Sequence, residues 1–185
     1  MSAPHLHNPG EEALRREWGS VEGNALRIDR ERAERLVEAL NADLSGLYIL
    51  FNQVRKHYWT MEGREVGPVV EFLKDAADRL AEMTDGLAIR VHALGGVPVN
   101  GPMGIRQHAP FGIEAGDVYD VRSSLSNDLD GYATLAASMR EHVALADDLG
   151  DEATLELVRE HLRTIEADAH VLERMLADDT LVRTE

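Results

Sequence analysis

Between Asp29 and Trp59 the apolar residues Leu36, Leu40, Leu44, Leu47, Phe51 and Val54 return at steps of three and four. That spacing lines one face of an α-helix and does not fit a strand, whose faces alternate at every residue. Asp29 suits the N-cap of the run. Gly63 and the pair Gly67-Pro68 interrupt it, and Pro68 suits the first turn of a second helix. There Val69, Phe72, Leu73, Ala76, Leu80, Met83, Leu87 and Val91 carry the period to Leu94, before Gly95-Gly96 stops it. A third helix is expected from about Asp117 to Leu149. Gly150-Asp151 turns the chain into a fourth, from Glu152 to about Ala177. Four long amphipathic helices must bury their stripes against one another.

The segment between the second and third helices, "GGVPVNGPMGIRQHAPFGIEAG", is residues 95–116. A connection of that length is unusual in a compact bundle, so it reads as a crossover with room for one short helical turn. Two long helices, a long crossover and two more long helices give an all-α, ferritin-like four-helix bundle. The chain divides into an N-terminal arm over 1–27, expected to be mobile, the bundle over 28–180 and a tail over 181–185. His5 and His7 fall in the arm and read as solvated.

Charge narrows the function. Asp and Glu number 34 against 19 Lys and Arg, a formal net charge of -15, and Lys56 and Lys74 are the only lysines. Such a surface argues against duplex DNA as a partner, because phosphate binding needs clustered cations. An acid-rich, lysine-poor composition suits concentrated salt, which screens carboxylate repulsion, and so a halophilic protein; the plain alternative is an ordinary acidic cytoplasmic protein. Without cysteine, a metal must be held by His, Asp, Glu or backbone oxygen. No apolar run approaches a membrane span and no leader pattern opens the chain, so no membrane partner is expected and the protein is read as cytoplasmic.

"ALNADLSGLYILFNQVRKHYWTMEG" followed by "AIRVHALGGVPV" resembles the Dps family, the dodecameric mini-ferritins. The family's typical phrases are a His-Trp-Asn-hydrophobic-x-Gly run closing the first helix and Ala-Glu-Arg-hydrophobic-x-x-Leu-Gly-Gly closing the second. "DVYDVRSSLSNDL" and "LADDTLVRTE" are similar to its acidic haloarchaeal branch, and the resemblance covers roughly residues 24–182. It implies a hollow shell of twelve subunits that admits Fe(II) through acidic pores. The shell oxidises the iron with peroxide or oxygen and stores ferric mineral, as a protection against oxidative stress. It also implies a ferroxidase centre between two subunits, with ligands from the first helix of one and the second helix of the other.

Carried over by position, that centre is mostly replaced. The family's first ligand is the histidine directly before the Trp. Here Tyr58 precedes Trp59, and His57 lies one residue earlier, about 100° away around a helix. The second histidine falls at Val70, the next carboxylate at Lys74, and the last glutamate at Ile89; Asp85 alone is retained. Val and Ile have no donor atoms. A tyrosine with a pKa of about 10 is a poor ligand for Fe(II), and Lys74 puts a cation where counter-charge is needed. The expected centre is degenerate, and no catalytic residue is assigned. Asp85 with His57 is the remnant metal candidate; its plain alternative is a salt bridge from Asp85 to Lys74.

The replacements share a direction. Tyr58, Trp59, Val70 and Ile89 turn an anionic pocket apolar and aromatic. Across a two-fold axis the patch reads first as a tightened dimer contact. Its second reading is a cavity for a flat redox cofactor such as flavin, stacked on the Trp59 indole. No Gly-rich nucleotide loop accompanies it. Further metal candidates lie elsewhere. Asp75, Asp78, Glu82 and Asp85 form one stripe on the second helix, a set of hard oxygen donors for ferric mineral or a solvated acidic face. Glu166, His170 and Glu173 share a face of the fourth helix, with His161 and Asp168 on another; these are a first-row metal site or surface pairs. The Glu-x-x-His pairs of an intrasubunit di-iron bundle are missing. The expected function is iron handling and storage in a Dps-like homo-oligomer with no DNA partner. The alternatives are a shell binding an aromatic redox cofactor, and a non-catalytic structural paralogue.

Overall fold

The computed structural model describes residues 10–63 and 66–177. These residues are all-helical. A 3-10 turn at Glu11–Ala13 precedes α1 (Arg30–Thr60), α2 (Gly67–Ala93), α3 (Pro102–His108), α4 (Val121–Asp148) and α5 (Glu152–Leu176). None of these helices is long and apolar enough to cross a membrane.

Local chemistry sets the helix ends. The Asp29 side chain accepts the Arg32 N–H and opens α1, while Pro68 stands in the first turn of α2. α4 starts later than the expected Asp117. Asp120 is the cap, because it alone has a serine three residues on: its carboxylate accepts the Ser123 N–H at 2.9 Å and the Ser123 hydroxyl at 2.7 Å. The crossover is correspondingly longer, and its one regular element is the short α3.

α1 pairs with α2 and α4 with α5; the two hairpins join chiefly through α1 and α4, and α3 lies against α1. Leu36, Leu40, Leu44, Leu47 and Leu50 of α1 meet Leu73, Leu80 and Leu87 of α2 in one continuous core with Tyr132, Leu135 and Met139 of α4. Each fully buried leucine contributes about 1.5–3 kcal/mol through the apolar area it removes from water.

Residues 1–9 of the expected arm and the whole tail, 181–185, lie outside the described residues. The described part lies against the bundle. Val21 is buried, the Glu22 N–H donates to the Gly95 carbonyl at 3.0 Å, and the Arg16 guanidinium donates to the Gly96 carbonyl at 2.9 Å. Gly95 sits at φ +94, and a Cβ there would come within 2.2 Å of the Glu22 carbonyl oxygen. Only glycine permits both the dihedral and the approach.

Candidate functional site

His57 stands three residues beyond Val54 and so continues the core face of α1 into the bundle. Its Nδ1 lies 2.8 Å from Asp128 Oδ2 and its Nε2 lies 2.7 Å from Glu114 Oε1. The three side chains are 2%, 0% and 3% exposed. Gln53 Nε2 donates to the other Asp128 oxygen at 3.0 Å, and Lys56 Nζ lies 3.2 Å from Glu114 Oε2. With both carboxylates ionised, both ring nitrogens must carry protons to donate to them, and His57 is then an imidazolium. Lys56 and His57 then balance Glu114 and Asp128, and the cluster is neutral. Neutrality matters because an unpaired buried charge is costly. Burial pushes the His57 pKa down, but the hydrogen bonds and charges of Asp128 and Glu114 outweigh it and hold the group above its ordinary value. Burial raises the Asp128 carboxyl, against the opposing pull of His57 and Gln53. The pair therefore holds its proton firmly.

Two further buried carboxylates are partnered across the bundle. Asp43 of α1, fully buried, accepts the Ser138 hydroxyl at 2.9 Å and lies 2.9 Å from His142 Nδ1, both on α4. Asp168 of α5 takes two nitrogens of Arg79 from α2, at 2.7 and 3.2 Å, and the Tyr132 hydroxyl at 3.4 Å. His161 is also buried, against Gly86 of α2, with its Nδ1 unpartnered among the described residues. Burial holds it below the ordinary histidine range.

The residues at the family's ligand positions are elsewhere. Trp59 is 61% and Ile89 71% exposed, while Tyr58 and Val70 are half-buried. Lys74 and Asp85 are exposed on α2. His57 therefore does not pair with Asp85: it turns inward, and both of its nitrogens are occupied. The Trp59 ring is covered on one side by Arg55, whose guanidinium carbon lies 4.5 Å from the ring centroid and 5.0 Å from that of Phe51.

Asp75, Asp78 and Glu82 are exposed, like Asp85, as one acidic stripe on α2. On α5, Glu166 is taken by Arg140, with contacts of 2.6 and 3.1 Å. His170 Nδ1 meets Glu173 at 3.2 Å. These three line a surface groove with Ala133, Ala136 and Ala169, and Arg140 brings a cation into it. Among the described residues of one chain, no three His, Asp or Glu side chains converge closely enough to hold a metal ion.

The sequence did contain a signal for the buried cluster. Asp128 lies three residues after Leu125 and four before Tyr132, at a core step of α4, and Asp43 sits beside Leu44 on the core face of α1. A carboxylate in such a position requires a buried partner.

The family description "Ferritin-like domain" matches residues 37–182. The chain is 48% identical over 165 residues to the "DNA protection during starvation protein" of Halobacterium salinarum, covering 89% of this chain and 91% of that one. It is 30% identical over 164 residues to a "Nutrient stress-induced DNA-binding protein" of Synechococcus, covering 89% and 93%. Among solved structures, an archaeal Dps homologue from Halobacterium salinarum superposes with a TM-score of 0.90 at 46% identity, covering 94% of this chain and 97% of that one. DpsC from Streptomyces coelicolor superposes with a TM-score of 0.87 at 27% identity, covering 92% and 99%. With its helices in this order, the crossover helix against α1 and these relatives spanning nearly its whole length, the chain belongs to the ferritin-like family and, within it, to the Dps proteins.

Proposed function

We propose that the protein builds a Dps-type shell whose cargo is iron, with oxidation at the family's intersubunit centre lost. The observation that carries this is the orientation of His57. The one histidine near the ligand positions of α1 faces Asp128 and Glu114 inside the bundle, not the outer face that carries Trp59. Val70, Lys74 and Ile89 supply no replacement donor, and Tyr58 binds Fe(II) poorly at neutral pH. The exposed stripe of Asp75, Asp78, Glu82 and Asp85 provides hard oxygen ligands suited to Fe(II) in transit or to ferric mineral.

The test is rapid-mixing Fe(II) oxidation with peroxide, comparing the natural protein with the variant Y58H/V70H/K74D/I89E. The natural protein should oxidise iron at close to the protein-free rate. The variant should exceed it by about tenfold or more, a barrier lowered by ~1.4 kcal/mol. Fast oxidation by the natural protein that saturates at a fixed iron-to-subunit ratio would overturn the reading.

An aromatic cofactor at Trp59 gains no support from the geometry, since Arg55 already occupies a ring face. Binding of DNA is not part of the proposed function either, although relatives carry that name. The formal charge of -15 opposes it, and a mobility shift of duplex DNA that weakens with salt would reverse this conclusion.

A further inference from the structure

The crossover residues 111–119 make no backbone–backbone hydrogen bond to any described residue. Gly112, Ile113 and residues 115–119 are exposed. Two side chains turn inward. Phe111 packs on the core near Gly131, and Glu114, 3% exposed, enters the His57 cluster. All the polar grip on the segment comes from one turn of α1. Lys56 donates to the Ala115 carbonyl at 2.9 Å, lies 3.2 Å from Glu114 and stands 4.9 Å over the Tyr119 ring. His57 holds the other side of the Glu114 carboxylate, and the Gln53 side-chain oxygen Oε1 accepts the Glu114 N–H at 3.4 Å.

Beside the segment lies a half-open pocket of about 170 Å3, lined by Gln53, Phe111, Glu114, Asn127, Asp130 and Thr134 among others. We propose that residues 111–119 are a hinged flap that forms one wall of this pocket and that Glu114 is the catch that holds it against α1. Gly112 and Gly116 bracket Glu114 at equal distance, and a Cβ at either would touch nothing within 4 Å, so the chain has room to swing on both sides of the catch. Swinging out breaks no backbone–backbone hydrogen bond and uncovers little apolar surface beyond Phe111. What it does break is the charge balance: Asp128 and His57 lose their second carboxylate and are opened to water. The cost of opening is therefore concentrated in one side chain. Segments with few buried contacts open independently of the global fold.

Hydrogen–deuterium exchange on the full-length assembled protein tests this. Residues 111–119 should exchange together and faster than α1 and α4. E114Q removes the charge at the catch. K56M removes the outer half of the grip and leaves the buried His57–Asp128 pair in place. Each should raise exchange of the Glu114 amide, the one amide of the segment with a described acceptor, by about tenfold or more, the size expected for a lost charge-assisted hydrogen bond, with α2 and α5 unchanged. Unchanged exchange at Glu114 in both variants overturns the proposal, as does a natural Glu114 amide protected as well as those of the helices. So does a rise spread evenly over all helices in both variants, which would make Glu114 a general stabiliser of the bundle.

Discussion

One guanidinium nitrogen of Arg90 lies 2.7 Å from both carboxylate oxygens of Asp151, and so ties the end of α2 to the start of α5. Asp151 is also the α5 N-cap, accepting the Thr154 N–H at 3.3 Å and the Thr154 hydroxyl at 2.7 Å, while Arg90 Nε donates to that same hydroxyl at 2.8 Å. D151A should lower the unfolding free energy by about 2–4 kcal/mol, from the lost cap and the unpaired arginine together. R90K keeps the charge but not the fork and should cost less. Urea midpoints measure both, and a D151A protein within about 0.5 kcal/mol of the natural one would refute the assignment.

The Asp43–His142 pair predicts an alkaline limit to stability. Burial lowers the His142 pKa, but the Asp43 carboxylate 2.9 Å away, helped by Glu141, outweighs it and holds the group above its ordinary value of 6.5. A histidine raised by folding contributes stability that is complete below its unfolded pKa and is lost as pH rises through the folded value. Unfolding free energy should therefore fall above about pH 6.5, by at most ~1.4 kcal/mol per pH unit for this one proton. H142Q should flatten part of that fall, leaving the part due to His57. Denaturant titrations from about pH 6 to pH 9 read the slope, and an H142Q profile parallel to the natural one would dismiss the pair as its source.

Gly95 anchors the N-terminal strap. G95A forces an alanine to φ +94 against the Glu22 carbonyl, so the strap must detach or the α2 terminus must shift. The expected cost is about 2 kcal/mol or more. It should come with faster tryptic cleavage at Arg15 and Arg16, since Arg16 loses its hold on the Gly96 carbonyl. Unaltered cleavage and melting in G95A would contradict this account.

Much of the fold is readable from local chemistry. The leucine period of α1, the proline that starts α2 and the Gly95-Gly96 stop each act within a few residues, and each has the expected effect. The start of α4 was misplaced because Asp117 and Asp120 are both credible caps; only the serine three residues after Asp120 separates them. The proposed loss of donors at Tyr58, Val70, Lys74 and Ile89 rests on register alone. The actual partners of His57 did not follow from register, because they lie 71 and 57 residues away in the chain. Likewise Ser138, which donates to Asp43, is 95 residues distant. Nothing local distinguishes such a carboxylate from one that faces water until the helices are packed.

The grip of Lys56 has a practical side. Its ammonium is spent on Glu114, the Ala115 carbonyl and the Tyr119 ring, and its side chain is 20% exposed. The chain's other lysine, Lys74, is exposed on α2. In an isolated subunit an acylating dye therefore meets one open side-chain amine. Labelling would then mark α2 and leave the Lys56 grip untouched.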